Sequence, residues 1–296
     1  WLNGVVFGTW VKLSLEKMRS RVPECYPIVQ YVDITHCIEC QYPVANWDRA
    51  FAYTLGREPI NPRPNAMEQI FTFTAPYTEG FIGYSDGVND DLNKIVWAAK
   101  SWNPDTPLRE ILQEYSRFFT GPTVTDEAVL GWISLEKNWN GPLHTNKQVL
   151  KTLKHWQTIQ RKIKAPSELG WRTKMGVFRA YYDAYVYKKL LADTKRENET
   201  LAFLQKALDS DSETYLEHAL RKLDEPYNDH ELTKLRENVE RLGEELFREI
   251  GIQMSVPKYG AANWERGAVL DALDMPLNDA IWLKNEINNI IKTQDP

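Results

Sequence analysis

The sequence predicts an α/β fold over residues 1–103 followed by an all-α fold over residues 104–296. Up to residue 103, short β-rich runs alternate with helical stretches, the pattern of parallel strands covered by helices. Two of those runs end in clusters of polar, ionisable and aromatic residues. That is how an α/β barrel or an open α/β sheet builds a site, because its strands deliver functional side chains at their C-terminal ends. Beyond Pro104 the apolar residues recur only at helical spacing.

In chain order, Val5 to Phe7 reads as a strand and Leu13 to Arg21 as a short helix ended by Pro23. Ile28 to Ile34 is rich in β-branched residues and reads as a second strand. Gln41 to Arg63 carries Pro43, Pro59 and Pro62, with Pro64 just beyond and Gly56 between, which predicts a long ordered loop. Asn65 is placed to cap a helix running to about Tyr77. Gly80 to Gly83 starts a third strand, and Asn89 or Asp90 caps a helix through Trp102. Four apolar faces follow: Leu108, Ile111, Leu112, Tyr115 and Phe118; Ala128, Trp132, Leu135 and Trp139; Trp171, Met175, Phe178, Tyr182 and Tyr185; and Leu232, Leu235, Val239, Leu242 and Leu246. Breaks at Gly121-Pro122, Gly141-Pro142, Pro166, Pro226 and Pro257 divide a bundle of six or seven helices of roughly 10–14 residues or somewhat longer. The charged stretches 193–199 and 209–213 read as solvated helix surface or turns.

The composition is that of a soluble globular protein, with 43% hydrophobic and 26% charged residues. A net charge of -5 gives no basic footprint, so nucleic acid is not an expected partner. No apolar run is long enough to span a membrane, and no membrane partner is expected. The chain opens almost directly on a strand, without Met or a signal peptide, so we expect the natural protein to extend N-terminally or to have been cleaved. The 11 Trp and 14 Tyr can stack on sugars, although a core role is the commoner one for any single Trp.

The first polar cluster is Asp33-Ile-Thr-His36. At a strand end, Asp33 and His36 can orient a substrate, act as acid and base, or bind a metal; in the plain structural reading, Asp33 pairs with an Arg and His36 bonds a backbone carbonyl. Cys37 and Cys40 resemble half a zinc site, but Cys25 is the sole further cysteine and no upstream H-x-E exists. Two thiols packed under a loop, without metal, is the expectation. The second cluster is Tyr84-Ser-Asp86-Gly87-Val-Asn89-Asp90-Asp91. N-capping and the helix dipole account for Asp90 and Asp91 but not for Tyr84 and Asp86, which precede the cap. The proline-rich loop adds Gln41, Tyr42, Trp47, Arg57, Glu58 and Asn61, where long ordered loops carry binding groups. No G-x-G-x-x-G, Walker loop, G-x-S-x-G or H-E-x-x-H is present.

The run Tyr84-Ser-Asp86-Gly87, the helix ended by Trp97 and Trp102, the stretch Glu110-Ile-Leu-Gln-Glu114-Tyr115-Ser-Arg117-Phe-Phe and the pair Leu135-Glu136 resemble a known junction. It is similar to the step from the catalytic (β/α)8 barrel into the C-terminal helical domain of exo-acting glycoside hydrolases: the α-glucuronidases, the α-N-acetylglucosaminidases and hexosaminidase-like families. The likeness spans about residues 1–140 and rests on pattern. It implies that residues 1–103 are the last strands of a (β/α)8-type (TIM) barrel, that an N-terminal half of the same protein is a partner, and that the location is extracellular or periplasmic. It implies a carbohydrate substrate and no cofactor. Asp33 and Asp86 become the candidate catalytic carboxylates, with His36, Gln41, Tyr42, Trp47, Arg57, Glu58, Tyr84 and Asn89 contacting the sugar. One departure stands out: those families usually carry a catalytic carboxylate on an earlier strand, which this chain lacks. The alternatives are a non-catalytic helical scaffold for a protein or glycan, and a metal-dependent hydrolase using Asp33, His36 and Asp86.

Overall fold

The computed structural model describes residues 2–35, 41–55, 62–85, 89–163, 169–207, 212–264 and 267–294. It is mostly helical, with three strands: β1 (Val5–Phe7), β2 (Ile28–Thr35) and β3 (Gly80–Ser85). These form one parallel sheet in the order β1-β2-β3. The expected barrel is therefore absent: β1 and β3 are both edges of an open sheet. A (β/α)8 barrel needs eight strands to close, and the sequence has β-rich runs for three.

Helix α1 (Leu15–Arg21) is capped by the Ser14 hydroxyl, which accepts from the Lys17 N–H. The proline-rich stretch is not all loop, because α2 (Arg49–Leu55) lies within it and buries Ala50, Phe51 and Leu55. Next come α3 (Pro64–Thr74), with a 3-10 turn to Tyr77, and α4 (Asp91–Trp102). Asn65 does not cap α3. The cap residue is Arg63, and the helix N-terminus is held instead by the Glu136 carboxylate, which accepts from the N–H groups of Asn65 (2.9 Å) and Ala66 (2.8 Å). An anionic group suits a helix N-terminus with its unsatisfied donors.

The remaining helices are α5 (Leu108–Phe119), α6 (Thr125–Lys137), α7 (Gln148–Lys162), α8 (Trp171–Ala207), α9 (Ser212–Asp224), α10 (His230–Ile250), α11 (Val256–Tyr259) and α12 (Ala280–Gln294). Far from the expected length, α8 runs for 37 residues. Residues 175 to 187 are all buried, so α8 is the central rod of the bundle. It runs straight through 193–199, where Asp193, expected at a solvated surface, is 2% exposed. Asp193 accepts from Lys189 Nζ (2.6 Å), the Tyr227 hydroxyl and the Leu277 N–H (2.9 Å).

The main core joins α2 and Leu92 of α4 to α5, α6, α7, α8 and α10. The apolar faces of α6 and α10 are buried as spaced, as are Met175, Phe178, Tyr182 and Tyr185 of α8, while Trp171 is half-buried. Phe118 is the exception at 82% exposed. Its neighbour Phe119 packs inward on Tyr115 at 4.8 Å between ring centroids, with Arg172 over its ring.

Candidate functional site: the carboxyl end of the sheet

The two faces of the sheet differ. Val32 and Ile34 of β2 point into a small core with Met67 and Phe71 of α3 and Val96 and Trp97 of α4. Strand alternation sends Tyr31 and Asp33 to the other face. Register pairs Tyr31 with Ile82 and Asp33 with Tyr84 across the parallel strands. That second face is open: Val6 is 55%, Ile82 48% and Tyr84 38% exposed. On it the Tyr31 and Tyr84 rings stack with centroids 6.2 Å apart. Asp33 is 2% exposed beside this aromatic pair. A register shift between Asp33 and Thr35 bends β2 just beyond it.

Gln41 returns to the strand it follows. Strand β1 ends opposite Gln30, too short to pair with the rest of β2. The Gln41 Oε1 fills part of that edge by accepting from the Asp33 N–H at 3.0 Å. Tyr42 lies on the helix-covered side, where its hydroxyl accepts from Gln30 Nε2 at 2.6 Å. Burial pushes the Tyr42 phenol up to about 12, against the opposing pull of the Gln30 hydrogen bond. Arg63 fastens this strap from behind: its Nη1 donates to the Tyr42 carbonyl at 2.9 Å, and its N–H donates to Asn93 Oδ1 at 2.7 Å.

Past β3, Asn89 is 5% exposed, and its Nδ2 has no hydrogen-bond partner among the described residues. Asp90 and Asp91 do not act as helix caps. Asp90 takes the Ser85 hydroxyl proton and lies 3.4 Å from Lys94 Nζ. Asp91 pairs with Arg172 and accepts from the Tyr115 hydroxyl at 3.0 Å, tying α4 to α5 and α8. The Tyr115 phenol is driven up by its burial and by the Asp91 charge.

The structure thus brings Asp33, Gln41, Tyr84 and the unanticipated Tyr31 to one end of the sheet. Trp47 lies elsewhere, packed against Trp139 at 5.9 Å between ring centroids beside the helical core. Asp86, His36, Arg57, Glu58, Asn61, Cys37 and Cys40 fall outside the described residues. Sequence reasoning missed Tyr31, Arg63 and Glu136. Tyr31 could have been found from its position two residues before Asp33, on the same face of the strand.

The chain matches no family model, no curated protein and no solved structure. No described helix is long and apolar enough to cross a membrane.

Proposed function

We propose that the chain contributes to a carbohydrate-acting hydrolase, with its site on the open face at the carboxyl ends of β2 and β3. The observation that carries this reading is the placement of a carboxylate, Asp33, in register with Tyr84, beside the Tyr31–Tyr84 stack, on the uncovered side of the sheet. Exposed aromatic faces pack against the C–H faces of a sugar ring, and a carboxyl group supplies acid–base or nucleophilic chemistry. Hydrolysis breaks the glycosidic C–O bond; water gives its hydroxyl to the anomeric carbon and a proton to the leaving oxygen. Two carboxyl groups share that work, typically about 5–5.5 Å apart for retention or about 6.5–9.5 Å for inversion. Asp33 is one of the pair, and Asp86, just after β3, is the candidate for the other. The alkyl and aromatic surface of Tyr84 holds the sugar, and Gln41 fixes the height of Asp33 on its strand.

The deep burial of Asp33 favours a second reading, in which the sheet is a platform that binds a glycan or protein without cleaving it. One substitution separates the two. In the hydrolase, Asp33→Asn lowers turnover of 4-nitrophenyl glycosides by orders of magnitude and leaves the melting curve in place. Turnover equal to wild type in both Asp33→Asn and Asp86→Asn, or no turnover of any aryl glycoside by the wild type, would refute it.

A further inference from the structure

A second polar cavity, of about 780 Å³, opens behind the Gln41–Ala45 strap, between the N-terminal turns of α3 and the C-terminal end of α6. We propose that it is a binding subsite for a neutral, polyhydroxylated ligand, a mono- or disaccharide unit; this inference rests on the carbohydrate reading above.

The lining carries the argument. Side-chain amides approach from three segments: Gln41 from the strap, Asn65 and Gln69 from α3, and Asn140 from the turn after α6. Each amide offers both donors and an acceptor, which is what a ring of hydroxyl groups requires. Trp139 also lines the cavity; it is 2% exposed, and its Nε1–H has no acceptor among the described residues. A buried indole donor without a partner carries a desolvation cost that a ligand oxygen relieves.

Charge selects against an anion. The N-terminus of α3 would attract one, but Glu136 already occupies it, accepting from both backbone donors and from Asn65 Nδ2 at 2.7 Å. An acidic sugar would meet that fixed carboxylate, whereas a neutral one meets amides and the indole. The cavity is also joined to the proposed hydrolytic site. Gln41 lines it while its Oε1 holds the Asp33 N–H, so one side chain borders both.

The test is calorimetric titration of the full chain with cellobiose, maltose, lactose and xylobiose, and with digalacturonic acid as the charged counterpart. One of the neutral disaccharides binds the wild type. Gln69→Trp, which fills the cavity from an exposed position on α3, and Asn140→Ala each weaken that binding by about tenfold, the loss of one or two hydrogen bonds. Asp33→Asn leaves it unchanged. No binding by any neutral sugar, equal affinity in both cavity variants, or tighter binding of digalacturonic acid overturns the inference. Failure is assignable: hydrolysis lost in Asp33→Asn with binding unmoved by Gln69→Trp removes the cavity alone. Cavity-dependent binding without any hydrolysis by the wild type removes the hydrolase reading alone.

Discussion

The helical bundle and the three-stranded sheet of this chain solve opposite problems. Around α8 every element is covered: residues 175 to 187 are buried on all sides, and even the charges are drawn in as pairs, Arg179 with Asp183 and Lys189 with Asp193. The sheet is covered by α3 and α4 on one face and leaves Val6, Ile82 and Tyr84 exposed on the other. Stability concentrates where apolar area and buried pairs accumulate, and chemistry has room where they do not. The long helix is therefore a support for the sheet, and the sheet presents the side chains.

Substitutions on the two sides should differ in size accordingly. The largest effect lies at the buried pair. Asp183 accepts from Arg179 and from Asn138 Nδ2 (2.8 Å), and burial drives its carboxyl upward against the pull of Arg179. Asp183→Ala strands the guanidinium inside the core and should destabilise by about 3–5 kcal/mol in denaturant melts. Combined with Arg179→Met, most of that loss should return, because an apolar pair of similar volume replaces the ions. A double variant as unstable as the single one would mean that the pair has a role beyond its own charges.

Next comes close packing. The Trp156 ring lies over Gly176 and Gly131, and a Cβ at Gly176 would come within 2.4 Å of it. The indole is wedged against Trp132 at 4.7 Å between centroids and cannot step aside. Gly176→Ala should cost about 1–3 kcal/mol. On the open sheet face, Ile82→Thr keeps a β-branched side chain at an exposed position and should change stability by less than about 0.5 kcal/mol. Similar losses at Gly176 and Ile82 would break the contrast between the two regions.

The smallest expected effect is a pH dependence at the bundle surface. Arg236 grips Asp274 through both terminal nitrogens and holds its carboxyl below the usual carboxylate range. Between that lowered value and the ordinary one near 4, the unfolded chain binds more protons than the folded one, so stability rises with pH. The contribution is complete above the ordinary value and is lost as pH falls through the folded one. Asp274 is 74% exposed, so solvent limits the effect to under about 1 kcal/mol. Arg236→Met should flatten this part of the stability–pH curve, measured by melts between about pH 2 and pH 6.

What the sequence revealed follows from which signals are local. The faces of α6 and α10 are readable because apolar residues at 3.6-residue spacing leave few alternatives. The same rule selects Phe118 over Phe119, since both neighbour Tyr115, and only the position of Arg172 on α8 decides between them. Arg179–Asp183 and Lys189–Asp193 have the i, i+4 spacing of ordinary surface pairs. Nothing nearby in sequence reveals that α8 is enclosed. At the candidate site, Asp33 and Tyr84 were legible as residues ending β-rich runs. The Glu136 carboxylate at the start of α3 was not, because it acts across 70 residues of chain. The barrel was expected from a pattern of junction residues, and three strands with two open edges do not make one.

The claim that the open sheet face is where this chain meets its ligand is tested most directly by hydroxyl-radical footprinting of the full chain with and without the disaccharide that binds it best. Tyr84, 38% exposed, and its stacked neighbour Tyr31 should lose reactivity when the sugar is present, while Trp102, 92% exposed, and Phe118, 82% exposed, should keep theirs. Unchanged reactivity at Tyr31 and Tyr84, with protection appearing on the helical bundle instead, would contradict the account.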